Sequence, residues 1–136
     1  MITLISRWPL ADGCPGPLLE ALRRLADEVR TKEPGTLSYL VHLPATGPSD
    51  THPDPDPDRG SGPAGASQTP GLQPAAVTFF EVYRDGAAFQ KHLDGPAFTQ
   101  FREDYLSYFV EDPTNPGWPR STTTFLERLA GFVDRG

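Results

Sequence analysis

Apolar residues in this chain recur with two periods, and the alternation between them outlines its elements. Residues 2–8, ITLISRW, are rich in β-formers and stop at Pro9, which predicts a first strand. Residues 10–16 hold Asp, Gly and Pro and read as a turn. Pro17 stands where a first helical residue would, with Gly16 as the N-cap. From there Leu18, Leu22, Leu25, Ala26 and Val29 recur at helical spacing, and Glu20, Arg23, Arg24, Asp27, Glu28 and Arg30 take the other faces. That is the pattern of an amphipathic helix. It ends near Glu33, because Pro34 disfavours a helical residue before it and Gly35 supplies a turn. Residues 36–43, TLSYLVHL, predict a second strand.

The second half begins with residues 75–84, AAVTFFEVYR, a third strand. Val77, Phe79, Glu81 and Tyr83 share one face, and Thr78, Phe80 and Val82 share the other. Both faces are largely apolar, so both are expected to be covered. Asp85 caps a short helix over residues 86–93. Gly95 and Pro96 open another, in which Phe98, Phe101, Tyr105, Tyr108 and Phe109 form an aromatic stripe. Such a stripe is more often core than cofactor site. Residues 111–119 form a Pro/Asn/Gly loop, residues 121–129 a last strand, and residues 130–136 a short tail.

Between the halves lies SDTHPDPDPDRGSGPAGASQTPG, which has almost nothing to bury. Neither half makes a domain alone. Together they read β-α-β, insertion, β-α-α-β, the split βαβ order of an α+β, ferredoxin-like, four-stranded antiparallel sheet with helices on one face. One domain over residues 1–136 is expected, with a Pro/Gly/Asp-rich loop insertion at about 44–74. Loop closure costs free energy only with the logarithm of length, so about thirty extra residues at a hairpin tip cost about 1–2 kcal/mol. His52, Asp54, Asp56 and Asp58 alternate with prolines. Calcium loops converge through a glycine turn, whereas alternating prolines spread carboxylates apart, so no metal site is expected.

Charge changes the picture little. Asp50, Asp54, Asp56 and Asp58 against Arg59 leave −3, half of the chain's net −6. The remainder has no basic patch, which argues against a nucleic-acid partner. The single cysteine, Cys14, excludes an internal disulfide. No apolar run has the length of a membrane helix, and the first residues lack a signal-peptide pattern, so a cytoplasmic location is expected.

EPGTLSYLV, from Glu33, and FFEVYRDGAAFQKHLDGPAFTQF, from Phe79, together resemble the antibiotic biosynthesis monooxygenase (ABM) family. The matching positions are Glu33, Pro34, Gly35, Tyr39, Glu81, Tyr83, His92 and Phe101. The resemblance implies the ferredoxin-like fold reached above and a dimeric α/β barrel built from two sheets. Independently, a sheet with helices on one face leaves large apolar groups bare on the other, which marks an interface. A homodimer through sheet faces is therefore expected.

The resemblance further implies oxidation of a small phenol, anthrone or quinol by molecular oxygen, with no cofactor. Such chemistry needs an apolar pocket, a proton acceptor and donors for the developing anion. Phe79, Phe89, Phe98, Phe101, Tyr105 and Trp118 are candidates to line the aromatic pocket. His92, whose side-chain type titrates near neutrality, is the candidate base. Glu81 is its expected neighbour and orienter, and Tyr39 and Tyr83 are candidate hydrogen-bond donors. His92, Glu81 and Tyr83 are thus the catalytic candidates, and Tyr39 joins the aromatic residues at the substrate.

Each has a plainer reading. His92 near a helix end interacts well with the helix dipole. Glu81 can pair across the fold, and the tyrosines can be core rings with satisfied hydroxyls. Trp8 and Trp118 read more readily as packing than as catalysis, and His42 as structural or near the dimer seam. Two alternatives stand beside the monooxygenase. One is a non-catalytic ligand-binding or dimerisation module on the same fold. The other is haem degradation, disfavoured because the first strand has no Asn, Tyr83 stands where that branch has Trp, and His92 precedes the Phe98 to Phe101 segment.

Overall fold

The computed structural model describes residues 1–45 and 75–136. The expected insertion at about 44–74 lies almost wholly outside the described residues. The elements are β1 (Ile2–Pro9), α1 (Gly16–Lys32), β2 (Thr36–His42), β3 (Ala76–Tyr83), α2 (Gly86–Asp94), α3 (Pro96–Tyr105), a 3-10 turn (Leu106–Tyr108) and β4 (Thr122–Leu126). The sheet order is β2-β3-β1-β4, and every neighbouring pair is antiparallel. This is the α+β, ferredoxin-like arrangement, with β3 inserted between the strands that α1 connects.

Alternation along the strands sorts the side chains. Leu4, Ser6 and Trp8 of β1 and Val77, Phe79, Glu81 and Tyr83 of β3 are buried. The hydrophobic core joins these strands to Leu18, Leu22, Leu25 and Val29 of α1 and to Phe98 and Phe101 of α3. Trp8 is its hub, with ring centroids 5.2 Å from both Phe79 and Phe109 and 5.8 Å from Phe98.

The other face carries no helix in this chain; Val82 on it is buried and Phe80 half-buried. Leu40, Phe80, Ile5 and Thr124 stand abreast across it, and Leu40 is 52% and Ile5 36% exposed. Alternation reports which residues share a face, not what covers it.

Three boundaries differ from expectation. The first helix starts at Gly16, with extended Pro15 at the N-cap and Pro17 in the first turn, where proline's missing N–H has no intrahelical acceptor to lose. The aromatic stripe is not one helix. α3 stops at Tyr105, and Phe109 reaches the core from an extended bridge to Leu10. There the backbone pairs with the end of β1, through Ala11 N to Tyr108 O and Val110 N to Pro9 O, each 2.9 Å. β4 ends at Leu126, short of residue 129, because Leu126 already lies opposite Thr3 near the start of β1. Beyond it Leu129 and Phe132 are almost wholly exposed.

Candidate active site

A cavity of about 70 Å³ lies beneath the sheet, between β1, β3 and β4 on one side and α2 and α3 on the other. Trp8, Phe89, Phe98 and Trp118 supply its aromatic walls, and Ser6, Glu81, His92, Ser121 and Thr123 its polar atoms. Ser6 Oγ accepts from Trp8 Nε1 at 3.1 Å and lies 3.2 Å from Thr123 Oγ1. A larger groove of about 480 Å³ between α1 and β2 is lined mainly by Leu19, Leu22, Ala26, Leu40, Val41 and Leu43. Arg23, Tyr39 and His42 complete its lining, and no carboxylate faces it among the described residues.

His92 occupies the last turn of α2, whose start is fixed by Asp85 accepting from Ala88 N at 2.8 Å. It is 1% exposed. Its Nδ1 is 2.8 Å from Glu33 Oε1. Glu33, also buried, is the C-cap of α1, 59 residues earlier. The turn that carries it can approach α2 because residue 35 is glycine. A Cβ there would come within 2.6 Å of Ala88 Cβ, far inside van der Waals contact. Glu-Pro-Gly thus ends α1, turns the chain into β2 and lets the helix bearing His92 close on Glu33.

The expected neighbour of His92, Glu81, has another hydrogen-bond partner. Its Oε2 accepts from Tyr83 Oη at 2.7 Å. Residues two apart on a strand share a face, so Tyr83 is always at hand, while Glu33 meets the imidazole nitrogen from the turn between α1 and β2. Glu81 nevertheless lines the cavity with His92. Burial raises its pKa, against the lowering effects of the Tyr83 hydrogen bond and of His92.

The tyrosines stay protonated. Burial, then the charge and hydrogen bond of Glu81, raises the Tyr83 pKa far above the ordinary phenol value. Burial, then Glu81 and Glu33, does the same for Tyr39. The Tyr39 ring lies 5.2 Å from the imidazole and 5.9 Å from Phe79, and its hydroxyl is buried without a protein partner among the described residues.

Of the ten candidate residues, Glu81, His92, Phe89, Phe98 and Trp118 line the cavity. Tyr83 and Tyr39 pack against His92 from β3 and β2 without lining it. Phe79 and Phe101 are core residues. Tyr105 stacks on Phe101 at the outer side of α3 and accepts from Arg24 Nη2 at 2.9 Å. The stripe was helical in pattern, but a helix face wide enough to pack a core cannot also turn wholly toward a cavity. Trp118 sits under Arg102, whose guanidinium carbon is 3.8 Å from the ring. His42 is on the bare face, with Nδ1 3.2 Å from Thr78 O.

Ser6, Ser121, Thr123 and Trp8 are cavity residues that the sequence reading did not assign to a site. Ser6 and Trp8 share the inward face of β1, a signal that alternation carries. Glu33 stood in the Glu-Pro-Gly run without a role. The only cue was a carboxylate at a helix end, since its partner depends on how α2 packs.

The antibiotic biosynthesis monooxygenase family model matches residues 67–104, which take in β3, α2 and nearly all of α3. A crystal structure of an antibiotic biosynthesis monooxygenase superposes with a TM-score of 0.60 at 16% identity, covering 96% of this chain and 100% of the other. One of a putative antibiotic biosynthesis monooxygenase from Deinococcus radiodurans gives 0.59 at 17%, covering 100% of both chains. A mutant of SnoaB, a cofactor-independent oxygenase from Streptomyces nogalater, gives 0.57 at 12%, covering 98% and 97%. At these identities the structures establish the shared fold. No curated protein matches the sequence. The family model over residues 67–104 and the shared fold agree with the resemblance read from the sequence.

Proposed function

We propose that the protein is a cofactor-independent monooxygenase of a small, electron-rich aromatic substrate of phenol, anthrone or quinol type. The observation that carries this reading is a buried histidine in the wall of an aromatic cavity, with one ring nitrogen held by a carboxylate. His92 accepts the substrate's acidic proton. The carbanion or phenolate then supplies the electrons that reduce oxygen. One oxygen atom enters the product, and the other leaves as water with two substrate hydrogens. An anthrone and O2 thus give a quinone and H2O. Tyr83 holds the Glu81 carboxyl group in the cavity wall through its 2.7 Å hydrogen bond, and the aromatic walls exclude bulk water.

The cavity's size favours a second reading, a non-catalytic module. About 70 Å³ is roughly two waters' share of liquid volume, and a cavity that holds benzene is about 150 Å³. Under the monooxygenase reading the wall therefore opens for substrate. Trp118 is the part placed to move, because it belongs to the irregular segment before β4 and is only partly buried.

We further propose that the bare face, with Leu40, Phe80 and Ile5, packs on a second copy to form the dimeric barrel. Among the described residues no helix is long and apolar enough to cross a membrane.

The test is oxygen uptake with anthrones, naphthols and hydroquinones, without added metal or flavin. Turnover is expected, and His92→Ala lowers it about a hundredfold or more, the scale of a general base. His42→Ala leaves it nearly unchanged. Saturable binding without uptake would establish the binding module instead, and full activity in a folded His92→Ala protein would remove the histidine from the mechanism.

A further inference from the structure

The Glu33–His92 pair has a feature that simple packing does not require. Both side chains are buried, and Glu33 Oε2 has no hydrogen-bond partner among the described residues. The carboxylate's one protein hydrogen bond is the 2.8 Å contact to His92 Nδ1. A buried carboxylate is costly and is ordinarily held by several donors. This one is committed to a single imidazole.

We infer that Glu33 is the positioning residue of the site, holding His92 in the Nδ1–H form so that its Nε2 lone pair serves the cavity. The inference rests on the reading of His92 as the base. An imidazole is more basic than a carboxylate, so the shared proton resides on Nδ1. An ionised carboxylate only accepts, so the neutral ring keeps its lone pair on Nε2. When Nε2 takes the substrate's proton, the imidazolium forms against a carboxylate already in place. No group need reorient at that moment, which is how a fixed charge lowers a barrier.

The surroundings leave this role to Glu33. Facing the imidazole are Tyr39 from β2, Tyr83 from β3 and Phe98 from α3, with ring centroids 5.2, 5.6 and 4.9 Å away. Tyr39 and Tyr83 stay protonated, and Phe98 is apolar. Glu81 is a nearby carboxyl group whose Oε2 is bonded to Tyr83, and Arg84, Asp85 and Lys91 line the pocket on the outer side of Glu33. Gly35, which cannot bear a Cβ against Ala88, keeps the turn and α2 in register for this contact.

Two measurements test it. The first uses the wild-type chain and needs no substrate: nitrogen-15 NMR of the histidine rings, with His92 assigned by its loss in His92→Gln. A protonated Nδ1 and a pyridine-like Nε2 are expected at pH above the imidazole titration. A protonated Nε2, or a mixture of tautomers, overturns the proposal. The second is the pH profile of oxygen uptake by Glu33→Gln, with an anthrone as probe. The amide oxygen still accepts from Nδ1–H but carries no charge. The acid limb of kcat/KM is expected to move to lower pH, because a carboxylate no longer favours the imidazolium. Turnover falls about tenfold or more, the direction seen when the acid orienting an imidazole is neutralised. An unmoved acid limb overturns the proposal. Should no probe consume oxygen, the oxygenase reading fails, and the NMR measurement alone decides whether Glu33 sets the tautomer.

Discussion

The two faces of the sheet are built from alternate residues of the same strands, yet they have opposite fates. On one face Phe79, Glu81 and Tyr83 are buried beneath the helices, and Glu81 and Tyr83 bond each other. On the other, Phe80 stands between Leu40 and Ile5 in an open row. Burial makes the first face selective, because every polar atom there needs a partner or shifts its pKa. The second tolerates polar change within one chain and depends on what covers it.

Adjacent phenylalanines give the largest expected contrast. Phe79 is 1% exposed and touches Trp8 and Tyr39. Phe79→Ala should destabilise by about 3–5 kcal/mol, the usual cost of removing a core aromatic. Phe80→Asp should leave the circular dichroism of the fold in place while light scattering shows the mass drop from dimer to monomer. Should the Phe80→Asp protein remain a dimer, the second copy must pack elsewhere. Should wild type itself be monomeric at micromolar concentration, the bare face has no such partner.

A smaller effect is expected where the two helices meet. Gly35→Ala places a methyl against Ala88, and either the turn or α2 must give way. Overpacking of that kind costs about 1–3 kcal/mol. The shift also lengthens the Glu33–His92 contact, so oxygen uptake should fall even at temperatures where the variant is fully folded. Equal losses in stability and none in turnover would show that the pair adapts.

These contrasts mark what the sequence made legible. Period-two alternation in β3 separated Phe79 from Phe80, and helical spacing placed Leu18 through Val29 on the core side of α1. These are local regularities, and local sequence carries them. The acid partner of His92 was not legible. Glu81, close in sequence and on a neighbouring element, was the expected choice, but the pairing depends on the turn at Glu33 closing over Ala88. That is a long-range packing event with no local period. Phe109 failed similarly. Its spacing continues α3, but backbone hydrogen bonds to the end of β1 take it out of the helix. The cavity was half legible, because aromatic residues are common to cores and sites and spacing alone does not divide them.

The smallest predicted effect is a change of slope, and it separates the two carboxylates beside His92. Burial raises the Glu81 pKa above its ordinary 4.5. Between the unfolded and folded values the native state therefore holds more protons than the unfolded chain. The stability Glu81 contributes is greatest in acid and is lost as pH rises through its folded pKa. Glu81→Gln keeps a carbonyl to accept from Tyr83 and cannot ionise. Its melting temperature relative to wild type should therefore rise from about pH 4 toward neutrality. Acids remote from Glu81 contribute alike to both proteins, so the difference reports Glu81 together with the groups its charge touches. A difference independent of pH would mean that Glu81 ionises as readily in the folded protein as in the unfolded one, and that the covered face is wetter beneath β3 than its burial implies.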